Sequence, residues 1–218
     1  MEIMSKYLLR QKLKTIILFI VFYAVGVAGI GIPFSQHIFI LLIPYALLLS
    51  FIAILLFHNS LHSGNTRFVF ITIVLISYLV EVVGVNSQIV FGKYNYGEGL
   101  GLKVLGTPLM IGINWAMLVY CSASILERFR IPVTLQVIFA SVLMVIYDLV
   151  LEQVAPFLDM WYWTGNLAPF QNYLVWFILA LIFHGLVKWR NVKTVNPLAS
   201  AIFICQFLFF AAILIFIK

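Results

Sequence analysis

The chain has 218 residues, 64% of them hydrophobic and 9% charged, with 13 Lys and Arg against 7 Asp and Glu. Soluble domains carry about 25% charged residues, and a soluble fold of this size leaves too much surface wet to bury so much apolar area. A cytosolic globular domain, a disordered chain and a nucleic-acid binder are thereby excluded, and the basic excess reads as Lys and Arg that hold cytoplasmic loops of a membrane protein in place.

In chain order, Lys6, Arg10, Lys12 and Lys14 precede the first apolar run, residues 15–32. No small-residue cleavage site of the A-x-A kind follows, so this run is expected to be a retained anchor rather than a signal peptide. Further runs are predicted over 38–57, 68–84, 104–125, 131–151, 172–188 and 198–217. Each is long enough, at 1.5 Å per residue, to cross a hydrocarbon core of about 30 Å. The expectation is one integral-membrane domain over residues 1–218, an all-α polytopic membrane helical bundle of about seven transmembrane helices. Arg67, Arg128, Arg130, Lys188, Arg190 and Lys193 fall in alternate loops together with the N-terminal cluster, so ten of the 13 basic residues lie on one side. By the positive-inside rule the N-terminus is inside, the C-terminus is outside, and the protein sits in the cell inner (plasma) membrane as a multi-pass chain.

That orientation places two longer loops outside: a glycine-rich one over residues 85–103 and an aromatic-rich one over 152–171. The glycines lack phosphate-cradle spacing and are expected to let the loop fold back over the bundle mouth. Cys121 and Cys205 both sit in apolar runs, where they pack rather than form a disulfide or a metal motif. His58 and His62, four residues apart, and His184 lie at the inner ends of spans two and six, where solvated interface residues are expected rather than metal ligands. The last span has no lysine, which removes a retinal Schiff base.

An ionisable group inside a span is expensive and therefore a functional candidate. Glu81 lies near the outer end of span three, and Asp148 and Glu152, four residues apart, share one face of span five. No span-embedded Lys or Arg neutralises the pair, so two neighbouring carboxyls in a low dielectric are expected to keep one proton between them. That is a proton donor beside a charged partner, suited to acid–base work on a neutral substrate. Asn114 beside Trp115, and Asn172, are the other polar residues of this half. Interhelical hydrogen bonding is the structural role such residues would otherwise have. The aromatic loop carries Trp161, Tyr162 and Trp163, either an interfacial belt or a wall whose π faces meet a passing cation.

Several segments together carry a family likeness. They are residues 81–96 (EVVGVNSQIVFGKYNY), 100–109 (LGLKVLGTPL), Asn114-Trp115, 148–152 (DLVLE), 161–163 (WYW) and 171–177 (QNYLVWF). This ordered set resembles the membrane carotenoid-biosynthesis family that contains the carotenoid 1,2-hydratases (bisanhydrobacterioruberin and γ-carotene hydratases). It departs from that pattern at Glu152-Gln153, where an Asp-Pro-like pair is expected, and at Val175, where Gly is expected. The resemblance implies a cofactor-free, metal-free addition of water to the terminal double bond of an acyclic, lycopene- or γ-carotene-like substrate that stays in the lipid bilayer. Other carotenoid-pathway enzymes would be its neighbours. Asp148 is then the acid, with Glu152 and Glu81 as base and cation stabilisers. Asn114 and Asn172 orient water, and Tyr94, Tyr96, Trp161 and Trp163, with Trp115 and Trp176, meet the end group. The alternatives are a carotenoid end-group cyclase or isomerase on the same scaffold, or a non-enzymatic carotenoid- or lipid-binding membrane protein.

Overall fold

A computed structural model describes residues 2–58 and 63–218, with side chains from residue 11 onward; His62 lies outside the described residues. The helices are α1 (Glu2–Gly31), α2 (Pro33–Leu41), α3 (Ile43–Leu56), α4 (Gly64–Ser87), α5 (Met110–Leu126), α6 (Val133–Val154), α7 (Phe170–Trp189) and α8 (Ala199–Phe216). Four short strands lie in the long loops: β1 (Tyr94–Tyr96), β2 (Lys103–Val104), β3 (Thr107–Pro108) and β4 (Trp161–Trp163). The fold is an all-α polytopic bundle. Among the described residues, five helical segments are long and apolar enough to cross a membrane: Gln11–Gly31 of α1, and α4, α6, α7 and α8.

α2 and α3 together make a sixth such segment, bent by 51°. Pro44 stands in the first turn of α3, where it lacks an N–H to continue the ladder from α2, and its ring crowds the preceding turn. The predicted single helix over 38–57 is therefore two helices, and it starts earlier, at Pro33. Ile32, the residue before Pro33, is extended (φ −94°, ψ 116°), as a following proline requires.

α5 is the centre of the bundle. It has 17 residues, and 14 of them are buried, against α3, α4, α6, α7 and α8. A helix apolar on all sides is stable where protein surrounds it, and at about 26 Å it need not match a lipid thickness. Its predicted start at residue 104 moves to Met110. The intervening residues form the β2–β3 hairpin, with Val104 paired to Thr107 and Leu105 and Gly106 both at positive φ (53° and 78°). Two consecutive positive φ values are the signature of a tight two-residue hairpin turn, which ends any helix there.

The histidines also depart from expectation. His58 and His184 are not solvated but buried, at 7% and 2% exposure. His58 Nδ1 bonds the Tyr120 hydroxyl (2.7 Å), while His184 Nε2 bonds Ser122 Oγ (2.8 Å) and Nδ1 bonds the Ala180 carbonyl (2.7 Å). Polar partners on α5 make burial affordable in an interior without water.

At the end where α4 and α6 finish and α5 and α7 begin, the two long loops pair. β1 and β4 run antiparallel, with Tyr94 opposite Trp163 and Tyr96 opposite Trp161. Gly97 and Gly99 make the closure possible: a Cβ at either would stand about 2.1–2.2 Å from Asp159 or Leu158 oxygens. α4 ends at Gln88 in the left-handed region (φ 58°), its N–H donating to the Gly84 carbonyl. Phe91 then folds back onto Gly84, where a Cβ would lie 2.5 Å from the Phe91 ring.

Gly84→Ala gains up to about 1 kcal/mol of helix propensity, but the overlap with Phe91 costs about 1–3 kcal/mol. The expected result is a lower thermal midpoint in detergent. Gly64→Ala, with nothing within 4 Å of the added carbon, should leave the midpoint unchanged or raise it.

A candidate active site of three carboxyls beneath an aromatic cap

Helical spacing brings the acids together. Glu81 comes from the last two turns of α4, and Asp148 and Glu152 from consecutive turns of α6. Their exposures are 4%, 0% and 7%. Burying a carboxyl requires hydrogen-bond partners, and the cap supplies them. The hydroxyls of Tyr94 and Tyr96 both donate to Glu81 Oε2 at 2.8 Å, and Trp115 Nε1 donates to Glu81 Oε1 at 3.3 Å. Trp161 Nε1 and Trp163 Nε1 donate to Glu152 Oε2 at 2.9 and 2.6 Å. The period of two along a strand puts both indoles of β4 on the inner face. Tyr162 faces out, and its hydroxyl donates to Asp159 Oδ1 at 2.8 Å.

Asn172, in the first turn of α7, bridges the acid pair. Its Nδ2 donates to Asp148 Oδ2 at 3.1 Å and to Glu152 Oε1 at 3.0 Å. The donors named here are all neutral. Burial, with Glu81 as an acidic neighbour, raises the titration of Tyr94 and Tyr96 above the ordinary tyrosine value, so both stay protonated donors near neutral pH. Trp176 of α7 stacks on Trp115 with ring centroids 4.2 Å apart.

Among the buried side-chain atoms of the described residues that have no hydrogen-bond partner are Asp148 Oδ1 and Asn114 Oδ1. Orphaned buried groups are uncommon and point to a missing water, proton or ligand. Beside Glu152 and Asn172, though not lined by Asp148, is a cavity with about 280 Å³ of unfilled space and room for about one water molecule. Glu81, Tyr94, Tyr96, Glu152, Trp161, Trp163, Asn172 and Trp176 line it, together with Phe91 and Ile111.

The sequence thus named most of the residues that meet here. Trp115 reaches Glu81 from α5, and Asp148 joins through Asn172. Asn114 does not line the cavity. Phe91 and Ile111 went unnoticed, because an apolar residue in an apolar chain carries no signal. The resemblance segment 81–96 nonetheless contained Phe91. Nor was the role of the aromatics foreseen: they were expected as walls, and they act first as donors. Among the described residues, no three His, Cys, Asp or Glu side chains are arranged to hold a metal ion.

No curated protein and no solved structure gives a significant match to this sequence. The family model for carotenoid biosynthesis proteins matches residues 36–218, a stretch that includes every carboxyl and aromatic residue of the site. The chain therefore belongs to the carotenoid biosynthesis protein family, and its part in the cell is in making carotenoids.

Proposed function

We propose that this membrane protein is a carotenoid 1,2-hydratase. It would add water to the terminal trisubstituted double bond of an acyclic, lycopene- or γ-carotene-like end group. The observation that carries the reading is the Asn172-bridged Asp148–Glu152 pair: Glu152 and Asn172 line a space for one water, and Asp148 Oδ1 behind them has no hydrogen-bond partner. Glu81 and Glu152 each accept three hydrogen bonds from described residues, whereas Asp148 accepts one. A proton on Oδ1 would remove the orphan and supply the acid.

In this scheme Asp148 gives its proton to the less substituted alkene carbon, and the π electrons form the new C–H bond. The tertiary cation left behind faces Glu81 and Glu152, whose charge is fixed in advance by the cap. The indoles donate through their N–H edges, which leaves ring faces for the cation. Water attacks the cation and releases a proton to Glu152, and transfer within the Asn172-bridged pair restores Asp148. The sum is H and OH added across one double bond, with no change in oxidation state and no cofactor required. Asn172 sets the spacing of the pair. Asn114 would orient water only after reaching the cavity by a side-chain rotation.

The same reading takes α5 as a seventh span, with the cap end outside and the basic loops in the cytoplasm of a cell whose plasma membrane holds the chain. The apolar segments of the bundle suit a substrate that itself dissolves in lipid.

The test is expression in a lycopene-producing bacterium, with pigments weighed by mass spectrometry after growth in ¹⁸O-labelled water. Pigment should gain the elements of labelled water. Asp148→Asn should lower that gain by about 10²–10⁴-fold, the usual worth of a general acid, and Tyr162→Phe should leave it unchanged. Undiminished gain in Asp148→Asn would sink the acid assignment, and pigment of altered retention but unaltered mass would favour cyclisation or isomerisation. Trp163→Phe keeps a ring face but loses the donor to Glu152. Turnover should drop ~10- to 100-fold, as expected for a charge-assisted hydrogen bond of about 1.5–3 kcal/mol, with a lower thermal midpoint from the donor lost to a buried carboxyl.

A further inference from the structure

A larger hollow than the carboxyl cavity lies elsewhere in the bundle. It is a groove between α1, the α2–α3 elbow and α8, with about 830 Å³ of unfilled space, against about 280 Å³ at the carboxyl cavity. The groove lies at the 51° bend between α2 and α3, where Leu42, Ile43 and Tyr45 line it. Its lip carries exposed Val25, Tyr45 and Leu49, and its floor carries buried Tyr23, Phe209 and Phe210. Gly26 lets the floor close, since a Cβ there would stand 3.1 Å from the Phe209 ring.

We infer that this groove is a binding site for the linear hydrocarbon chain of an isoprenoid. The identity of the occupant rests on the hydratase reading above; the existence of the site does not. Three observations select that occupant. No charged residue lines the groove, so a phospholipid headgroup finds no partner there, whereas an unfunctionalised polyene needs none. The carboxyl cavity has room for about one water, so a long substrate must lay its chain elsewhere. The groove also comes within one side chain of the acid pair. Tyr147, the residue before Asp148, donates a long hydrogen bond to Gln206 Oε1 (3.5 Å) and packs on Phe210 with centroids 5.9 Å apart, and Gln206 and Phe210 line the groove.

An achiral polyene held in a chiral groove acquires visible circular dichroism, which reads binding without turnover. The full chain in phospholipid nanodiscs, titrated with lycopene, should give such a signal. Val25→Trp and Leu49→Trp fill the groove from opposite walls at positions already about half exposed (52% and 48%), so folding is spared. Each should weaken lycopene binding by roughly tenfold, while Tyr162→Phe, facing out of the site, binds like the parent. Unchanged binding in both Trp variants at an unchanged thermal midpoint would overturn the groove and leave the hydratase reading standing. A groove-dependent signal without any water gain in the expression host would uphold the groove and sink that reading. A signal seen in detergent but lost in phospholipid nanodiscs would make the groove an ordinary lipid seat and overturn the inference.

Discussion

Everything at the capped end follows from one constraint: a carboxyl inside a helical bundle must find its hydrogen-bond donors within the protein. Glu81 and Glu152 stand on helices whose remaining faces are apolar, and neither has a Lys or Arg among the donors described. They are held by phenol, indole and amide groups instead. Those groups belong to segments far apart in the chain, so satisfying the carboxyls obliges the two long loops to meet. The β1–β4 ribbon is the result of that meeting. It roofs the site, excludes bulk water and fixes the direction of each acid.

Neutral donors have a further consequence. A cationic partner would neutralise a carboxylate and remove its field. Aromatic O–H and N–H groups orient the charge and leave it in place, in a medium where an uncompensated charge acts strongly. In the hydratase proposed above, a site built this way would stabilise the positive charge that appears transiently on the hydrocarbon. The glycines belong to the same design. Gly97 and Gly99 meet the 158–159 backbone at distances no side chain tolerates, and Gly84 receives Phe91. Their value lies in the close approach that lets the roof descend far enough for the donors to reach.

The opposite end is organised by a second polar set. His58, Tyr120 and Asn196 join α3, α5 and the segment before α8, while His184, Ser122 and Ser141 join α7, α5 and α6. α5 takes part in both, and through Trp115 it also reaches Glu81. A short, almost wholly buried helix thus ties the capped end to the far end. This explains how a 17-residue helix keeps its place among longer ones.

Composition alone determined the environment. With 64% hydrophobic and 9% charged residues, only a membrane bundle could hide the apolar surface, and apolar runs marked α4, α6, α7 and α8 to within a few residues, while α1 begins at Glu2, well before the apolar run at 15. Period also placed Asp148 and Glu152 on one face, because a spacing of four is one helical turn whatever the packing. The elbow at Pro44, the hairpin in place of a helix start at 104–109, and the burial of His58 and His184 were settled in three dimensions. A proline can start a helix or bend one, and a histidine is solvated or buried according to the neighbour it meets. The roles of Tyr94, Tyr96, Trp161 and Trp163 were decided in the same way. Sequence shows that an aromatic is amphipathic, but whether its polar edge turns to water or to a carboxyl depends on contacts between segments some 65 residues apart, which no local pattern records.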